Sequence, residues 1–286
     1  KQQAFSFMGN PKFVSRDSTE GQSINAVYSY YDDKSKTMVF RERVRIRQES
    51  QLIVCDSLDY NTETKEGWAQ GAVVWDDTAA KVQIRCEEAF YNDSTKFLLA
   101  HRQPVLRTII DADTLWLRAD TLWSYPDSSS TENRNIKAYH QVLIYKSDLQ
   151  VRCDSLHYNG SDSTFRFFQK PILWVDGTQF IADTIDIQLR ENQIYQLRLF
   201  ENSFIVNTND SVYFNQIKGR NVISFFEEGQ LDRMTVFETG ETVYYAVDDN
   251  NQYIGVNDVD CQDMHLFFED KSVRSIRFEV TPSAVF

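Results

Sequence analysis

Five carboxylates recur at one position of a repeating pattern: Asp56, Glu87, Asp120, Asp154 and Asp183, each directly after a small residue. Such a ladder could ligate calcium along a stacked β structure, or supply the paired acids of a polysaccharide-cleaving enzyme. The same residues also suit a bend in a strand. There an Asp, followed by Ser or Thr, accepts hydrogen bonds from backbone N–H groups where the ladder is interrupted. The bend reading is preferred, because it explains why the acid always travels with the small residue. Four cysteines, Cys55, Cys86, Cys153 and Cys261, occupy that small position themselves. They read as small buried hydrophobes. Only Cys55 and Cys86 stand on adjacent copies, so only they are placed for a disulfide. With no C-x-x-C, and with His101, His140, His157 and His265 scattered, no zinc or other metal site and no cofactor is called for. Phosphate-cradling glycine loops and nucleophile elbows are absent from the sequence. Catalytic residues of β-helix lyases and glycosidases lie far apart in sequence, so this leaves such an enzyme open. Arg41, Arg43, Arg45 and Arg47 alternate with Val44 and Ile46 and form the densest basic feature. They could meet an anionic head group or an acidic partner, or form a solvated face that discourages edge aggregation.

The elements that carry these residues are β-strands. Phe (20) and Tyr (14) are abundant while Gly (10) and Pro (5) are scarce, and apolar residues alternate at period two throughout. Phe225 to Phe237 reads as two strands about a glycine turn, and little or no helix is expected. At 42% hydrophobic residues there is ample material for a core. A net charge of −12 argues against general nucleic-acid binding, since phosphates are repelled. Apolar runs such as 142–145 are far shorter than the roughly 20 residues of a membrane-spanning helix. Lys1-Gln2-Gln3-Ala4 carries no signal-peptide pattern.

Internal repetition organises the whole chain. Segments 53–60 (IVCDSLDY), 117–125 (LRADTLWSY), 151–158 (VRCDSLHY) and 180–187 (FIADTIDI) share apolar, small, acidic, Ser/Thr and apolar positions. The small residue, here termed the anchor, falls at Ala26, Cys55, Cys86, Ala119, Cys153, Ala182, Gly219 and Cys261, at spacings of 29 to 42 residues. Before the anchor the apolar residues sit at even offsets; after it they sit at +3 and +5. A flat strand cannot change parity and keep one face buried, so each copy is expected to bend at the acid. Bent rungs, each too small to bury its own face, would stack into one core. Two polar insertions, 126–133 and 247–252, interrupt but do not end the pattern, so one domain spanning 1–286 is expected, as the later part of a longer array. Ala4-Phe5-Ser6-Phe7 is expected to present an exposed strand edge, and Thr281-Pro282-Ser283 to stop the last strand.

The motifs CDSLxYN and ADTLxxY, with the return segment Gly71-Ala72-Val73-Val74-Trp75, resemble the OstA-like family, which includes LptA and the periplasmic N-terminal domain of LptD. The chain is most similar to OstA-like proteins of Bacteroidetes, on segments 138–142, 148–156 and 254–257, and the likeness runs from about Ala26 to Phe278. The resemblance implies an all-β jellyroll, or β-taco, of two facing antiparallel sheets in a V. It implies a non-enzymatic periplasmic protein of outer-membrane biogenesis, with outer-membrane association as an extension. Its ligand would be lipopolysaccharide or another glycolipid, and its partners other Lpt-like β-jellyroll chains stacked edge to edge, not nucleic acid. Acyl chains would lie in an apolar trough, each buried methylene contributing about 0.8 kcal/mol. The inward positions offered for it are Ile53, Leu58, Tyr60, Leu117, Leu122, Val151, Leu156, Tyr158, Phe180, Ile185 and Ile187. Two alternatives stand beside this: a structural β-solenoid that binds partners through its strand edges, with the same residues closed into a dry core, and a polysaccharide-active β-helix enzyme.

Overall fold

A computed structural model shows an all-β chain; its described residues contain strands, turns and bends and no helix. The description covers residues 4–286 except 10, 15–22, 49, 80, 111, 129–132, 176, 209, 249, 251, 270 and 271, and omits the side chains of 13, 14 and 272. Lys1-Gln2-Gln3 and residues 129–132 of the first polar insertion therefore lie outside the described residues, as do 249 and 251 of the second. Two compact units divide the chain, Lys1–Val142 and Leu143–Phe286. Each is built from antiparallel hairpins, and the sequence repeat runs through both.

The rungs have a regular construction. An outgoing strand carries the anchor, as in Gln51–Asn61 with Cys55 and Val82–Asn92 with Cys86. A return strand follows, as in Thr37–Gln48 and Glu66–Asp77. The bend expected at the acid is present, but the extra residue sits in the return strand opposite. In the pairing of Thr37–Gln48 with Gln51–Asn61 the register jumps between Arg41 and Val44, so Glu42 and Arg43 together oppose Asp56. Both have left-handed backbone, at φ 62° and 53°. The same two-residue corner recurs at 71–72, 102–103, 140–141, 169–170, 201–202, 238–239 and 280–281.

Its hydrogen bonding is regular too. The residue after the anchor donates its N–H to the carbonyl of the first corner residue: Val27 to Glu42 (3.1 Å), Asp120 to His140 (3.1 Å), Asp183 to Glu201 (3.0 Å), Arg220 to Glu238 (2.9 Å) and Gln262 to Val280 (3.3 Å). This satisfies groups that the interrupted ladder would leave bare. The strand Ser272–Glu279 stops just before Thr281-Pro282-Ser283, as expected, but it is not the last strand. The chain does not stop there; it turns and resumes as Ser283–Val285, paired with Asp258–Asp260. At Glu228-Gly229 both residues have positive φ, the geometry of a tight two-residue hairpin, which joins the two strands read from 225–237.

Burial follows the parity shift. The anchor and the residue three further on are both inward: Ala26 and Ser29, Cys55 and Leu58, Cys86 and Ala89, Ala119 and Leu122, Ala182 and Ile185. On the return strand the inward residues stand two before and two after the first corner residue, for example Phe40 with Val44, Ala69 with Val73 and Leu199 with Ser203. Anchors are small because they lie at the apex, where the two arms of a rung meet. A Cβ added at Gly219 would come within 2.2 Å of Val236 Cγ1. All four cysteines are free thiols. Burial pushes Cys55 and Cys153 up to about 12 and Cys86 up to about 11.

Candidate functional site

In unit 1 the inward residues form two walls. One line runs through register partners Ile24, Ile46, Ile53, Trp75, Ile84, Leu106 and Leu117. The other runs through Phe40, Leu58, Ala69, Ala89, Ala100, Leu122 and Ala138. Because every rung bends at its corner, the walls face each other. They enclose a cavity of about 50 Å³, lined by Ile46, Ile53 and Trp75 from one wall and Leu58, Ala69 and Ala89 from the other. That is space for a few water-sized spheres, a narrow slot rather than a chamber. Trp75 meets Tyr91 edge to face across it, with ring centroids 4.9 Å apart.

The slot exists because of a run of small side chains. Where the first wall-two position holds Phe40, the next return and outgoing strands hold Ala69 and Ala89, with Gly67 between Tyr60 and Tyr91 one step toward the rim. The opposite wall stays bulky, so the volume missing from one side is not refilled from the other. The rim is polar. Gln51 Nε2 donates to Asp77 (3.0 Å), and Lys96 pairs with Asp93 (2.6 Å), whose carboxylate also accepts from Tyr91 (3.4 Å). Burial raises Tyr91 to about 12.

Of the eleven trough positions read from the sequence, Ile53, Leu58 and Tyr60 line this cavity. Leu117 and Leu122, in the same unit, are 3% and 0% exposed in packed core. Val151, Leu156, Phe180, Ile185 and Ile187 belong to unit 2, all at 2% or less, and Tyr158 is half-buried there. In that unit the line Leu156, Phe167, Ile185, Leu199, Val222, Val236, Met264 holds no residue smaller than valine, and each member is buried to 1% exposure or less. Trp75, Ala69, Ala89 and Gly67 escaped the sequence reading. Ala89 stands at +3 from the degenerate anchor Cys86, while Gly67, Ala69 and Trp75 lie on a return strand at even offsets from Gly71, a corner whose place the sequence did not reveal.

The other candidates have structural partners. Gly71 stands against Asp56, where a Cβ would meet the carboxylate. Asp183 accepts from Asn202 Nδ2 (2.9 Å), and Ser155 donates to Asp154 (2.6 Å). Asp154 and Asp183 are thus tied to neighbouring side chains, and no cluster of three or more metal-ligating side chains occurs among the described residues. His101 and His265 each share a hydrogen bond with a threonine, Thr121 and Thr235, at 3.2 Å. The arginine stripe is divided by its corner. Arg41 donates to Asp59 (2.5 Å) and to the Leu58 carbonyl (3.3 Å) on one side. Arg43 sits in the corner itself, and Arg45 and Arg47 are exposed beyond it.

No family model matches the sequence, and no curated protein matches it. Among solved structures, the chain is similar to LptH from Pseudomonas aeruginosa, titled the LptA-homologous periplasmic component of a lipopolysaccharide transport device. The identity is 10% and the TM-score 0.37, over 48% of this chain and 94% of that one.

Proposed function

We infer that unit 1 is a non-enzymatic binding module for a hydrocarbon chain, and that the protein handles a glycolipid such as lipopolysaccharide in the periplasm. The observation that carries this reading is the apolar slot between the two walls, opened by Gly67, Ala69 and Ala89 and bordered by polar rims. Its width suits one acyl chain lying between Ile53 and Leu58, with the polar head left at the rim. A chain there exchanges water for Ile, Leu and Trp side chains at about 0.8 kcal/mol per methylene. Two of the corner acids are held by neighbouring side chains, Asp154 by the Ser155 hydroxyl and Asp183 by the Asn202 amide, which supports a binding rather than a hydrolytic role. The resemblance of the repeat to OstA-like sequences points the same way, toward transport to the outer membrane and edge pairing with related chains.

A photo-crosslinking side chain at Leu58, activated in cells, tests this. A lipid adduct at Leu58, lost when Ala69→Leu and Ala89→Leu fill the slot, is the expected result. No lipid adduct at Leu58 in the otherwise unaltered protein overturns the reading. For unit 2 a second reading is favoured by its line of bulky, fully buried side chains: it serves as a packed structural stack that pairs through strand edges. The same probe at Leu156 and Ile185 should then stay free of lipid.

A further inference from the structure

The outward face of one wall of unit 1 carries a charge pattern opposite to that of the protein. Two lines of register partners cross seven strands there. The first is Asn25, Arg45, Val54, Val74, Arg85, Val105 and Arg118; the second is Ser23, Arg47, Leu52, Asp76, Gln83, Arg107 and Trp116. Within these two lines five exposed arginines stand against one carboxylate, Asp76, with the exposed Glu87 next along the strand from Arg85, in a chain whose net charge is −12. Several cations elsewhere are paired: Lys36 with Asp33, Arg41 with Asp59, Arg166 with Asp186, Lys218 with Glu241, and Arg220 with Glu201 and Glu238. Among the described residues none of the five has a carboxylate within ion-pair distance. Arg85 and Arg118 donate only to the side-chain oxygens of Gln83 and Gln103, and Arg107 lies over the Trp116 ring at 5.9 Å.

The face is also apolar between its charges. Val54, Val74 and Val105 separate the arginines of the first line, and Trp116 and Ile109 are 42% and 45% exposed at its margin. A depression of about 640 Å³ opens on it, lined by Val74, Arg85, Glu87, Arg102, Gln103 and Val105.

We propose that this wall docks on an anionic lipid surface. Arginine forks match phosphate oxygens, and an exposed tryptophan with aliphatic neighbours suits the boundary between head groups and acyl chains. An acidic protein would account for the arginines but not for Trp116 and Ile109 held bare beside them. Overall negative charge does not prevent docking, because carboxylates farther than about 8 Å from the surface are screened at physiological ionic strength. Each arginine at such a surface multiplies affinity by about fivefold. The proposal does not need the slot to be occupied.

Co-sedimentation with vesicles tests it. The unaltered protein should bind phosphatidylcholine vesicles containing phosphatidylglycerol, bind pure phosphatidylcholine far less, and dissociate in high salt. Arg45→Gln/Arg85→Gln/Arg118→Gln should weaken binding by about 100-fold while leaving Tm unchanged, since all three are exposed. Trp116→Ser should weaken it further. Lys34→Gln/Lys65→Gln/Lys218→Gln, with the same change in net charge, should bind as before. The slot-filled Ala69→Leu/Ala89→Leu protein should also bind, which separates this proposal from the chain-binding reading. Equal binding by the arginine and lysine triple variants overturns it. So does failure of the unaltered protein to bind anionic vesicles, even if it then binds an acidic polypeptide such as polyglutamate.

Discussion

Asp186 has no accessible surface, yet it lies on the outward side of its strand. Its register partners on either side are Arg166 and Arg198. Arg166 grips both carboxylate oxygens, at 2.7 and 2.6 Å, while Arg198 reaches one at 3.4 Å and keeps a buried Nε without a partner. The bidentate hydrogen bond from Arg166 is the stronger restraint, and it holds that guanidinium above its usual range. Removing it leaves a buried carboxylate with one long contact. Arg166→Ala is therefore expected to cost about 3 kcal/mol, and Arg198→Ala clearly less. Urea denaturation of both variants checks the order; equal losses would show that the two arginines share the charge evenly. The triad was not legible in the sequence: Asp186 lies inside the 180–187 copy, but its two arginines stand on neighbouring strands and meet it only through strand pairing.

At the scale of the element, the corner is the informative unit. Its existence was legible from the parity change at each anchor; its location was not. The residues that adopt left-handed backbone are Glu-Arg, Gly-Ala, Arg-Gln, His-Gln, Gln-Lys, Glu-Asn, Glu-Thr and Val-Thr, which share no type. The conformation is imposed from outside, by the neighbouring strand's N–H and by the inward residues on either side. Gly71 is the instructive member. Seven other corners accept a side chain at that place, so backbone strain alone does not demand glycine. What demands it is the Asp56 carboxylate, 2.3 Å from where a Cβ would stand. Gly71→Ala should lower stability by about 2 kcal/mol. Most of that loss should vanish in an Asp56→Gly background. Additive effects in that double-mutant cycle would sink the explanation.

For the whole molecule, the sequence made the all-β class and the order of the rungs plain, since period-two alternation and the anchor spacing are written directly in residue type. It did not separate an open slot from a closed core. That difference rests on Ala69 and Ala89 against Phe167 and Ile185, small and large members of one apolar class at equivalent positions. Two buried thiols, one in each unit, give a test of the packing at the anchors. Folded Cys55 and Cys153 hold their protons up to about 12, against 9.0 for an unperturbed thiol. The folded state therefore binds more protons than the unfolded one in this window, and stability falls as pH rises through it. Each thiol contributes up to about 1.4 kcal/mol per pH unit. Melting temperatures from pH 8 to 10.5 should decline less steeply in Cys55→Ala/Cys153→Ala, whose alanines match Ala119 and Ala182. An unchanged slope would mean that the thiols ionise without unfolding.

Each rung carries its own hinge, with a carbonyl tied to the N–H next door and its own pair of left-handed residues. The angle between the arms is thus fixed locally rather than by a distant cap. Widening or narrowing can then occur one storey at a time, as Ala for Phe or Gly for Leu. A gene encoding such a chain can grow by copying a thirty-residue module, since the newcomer brings its own fold line with it.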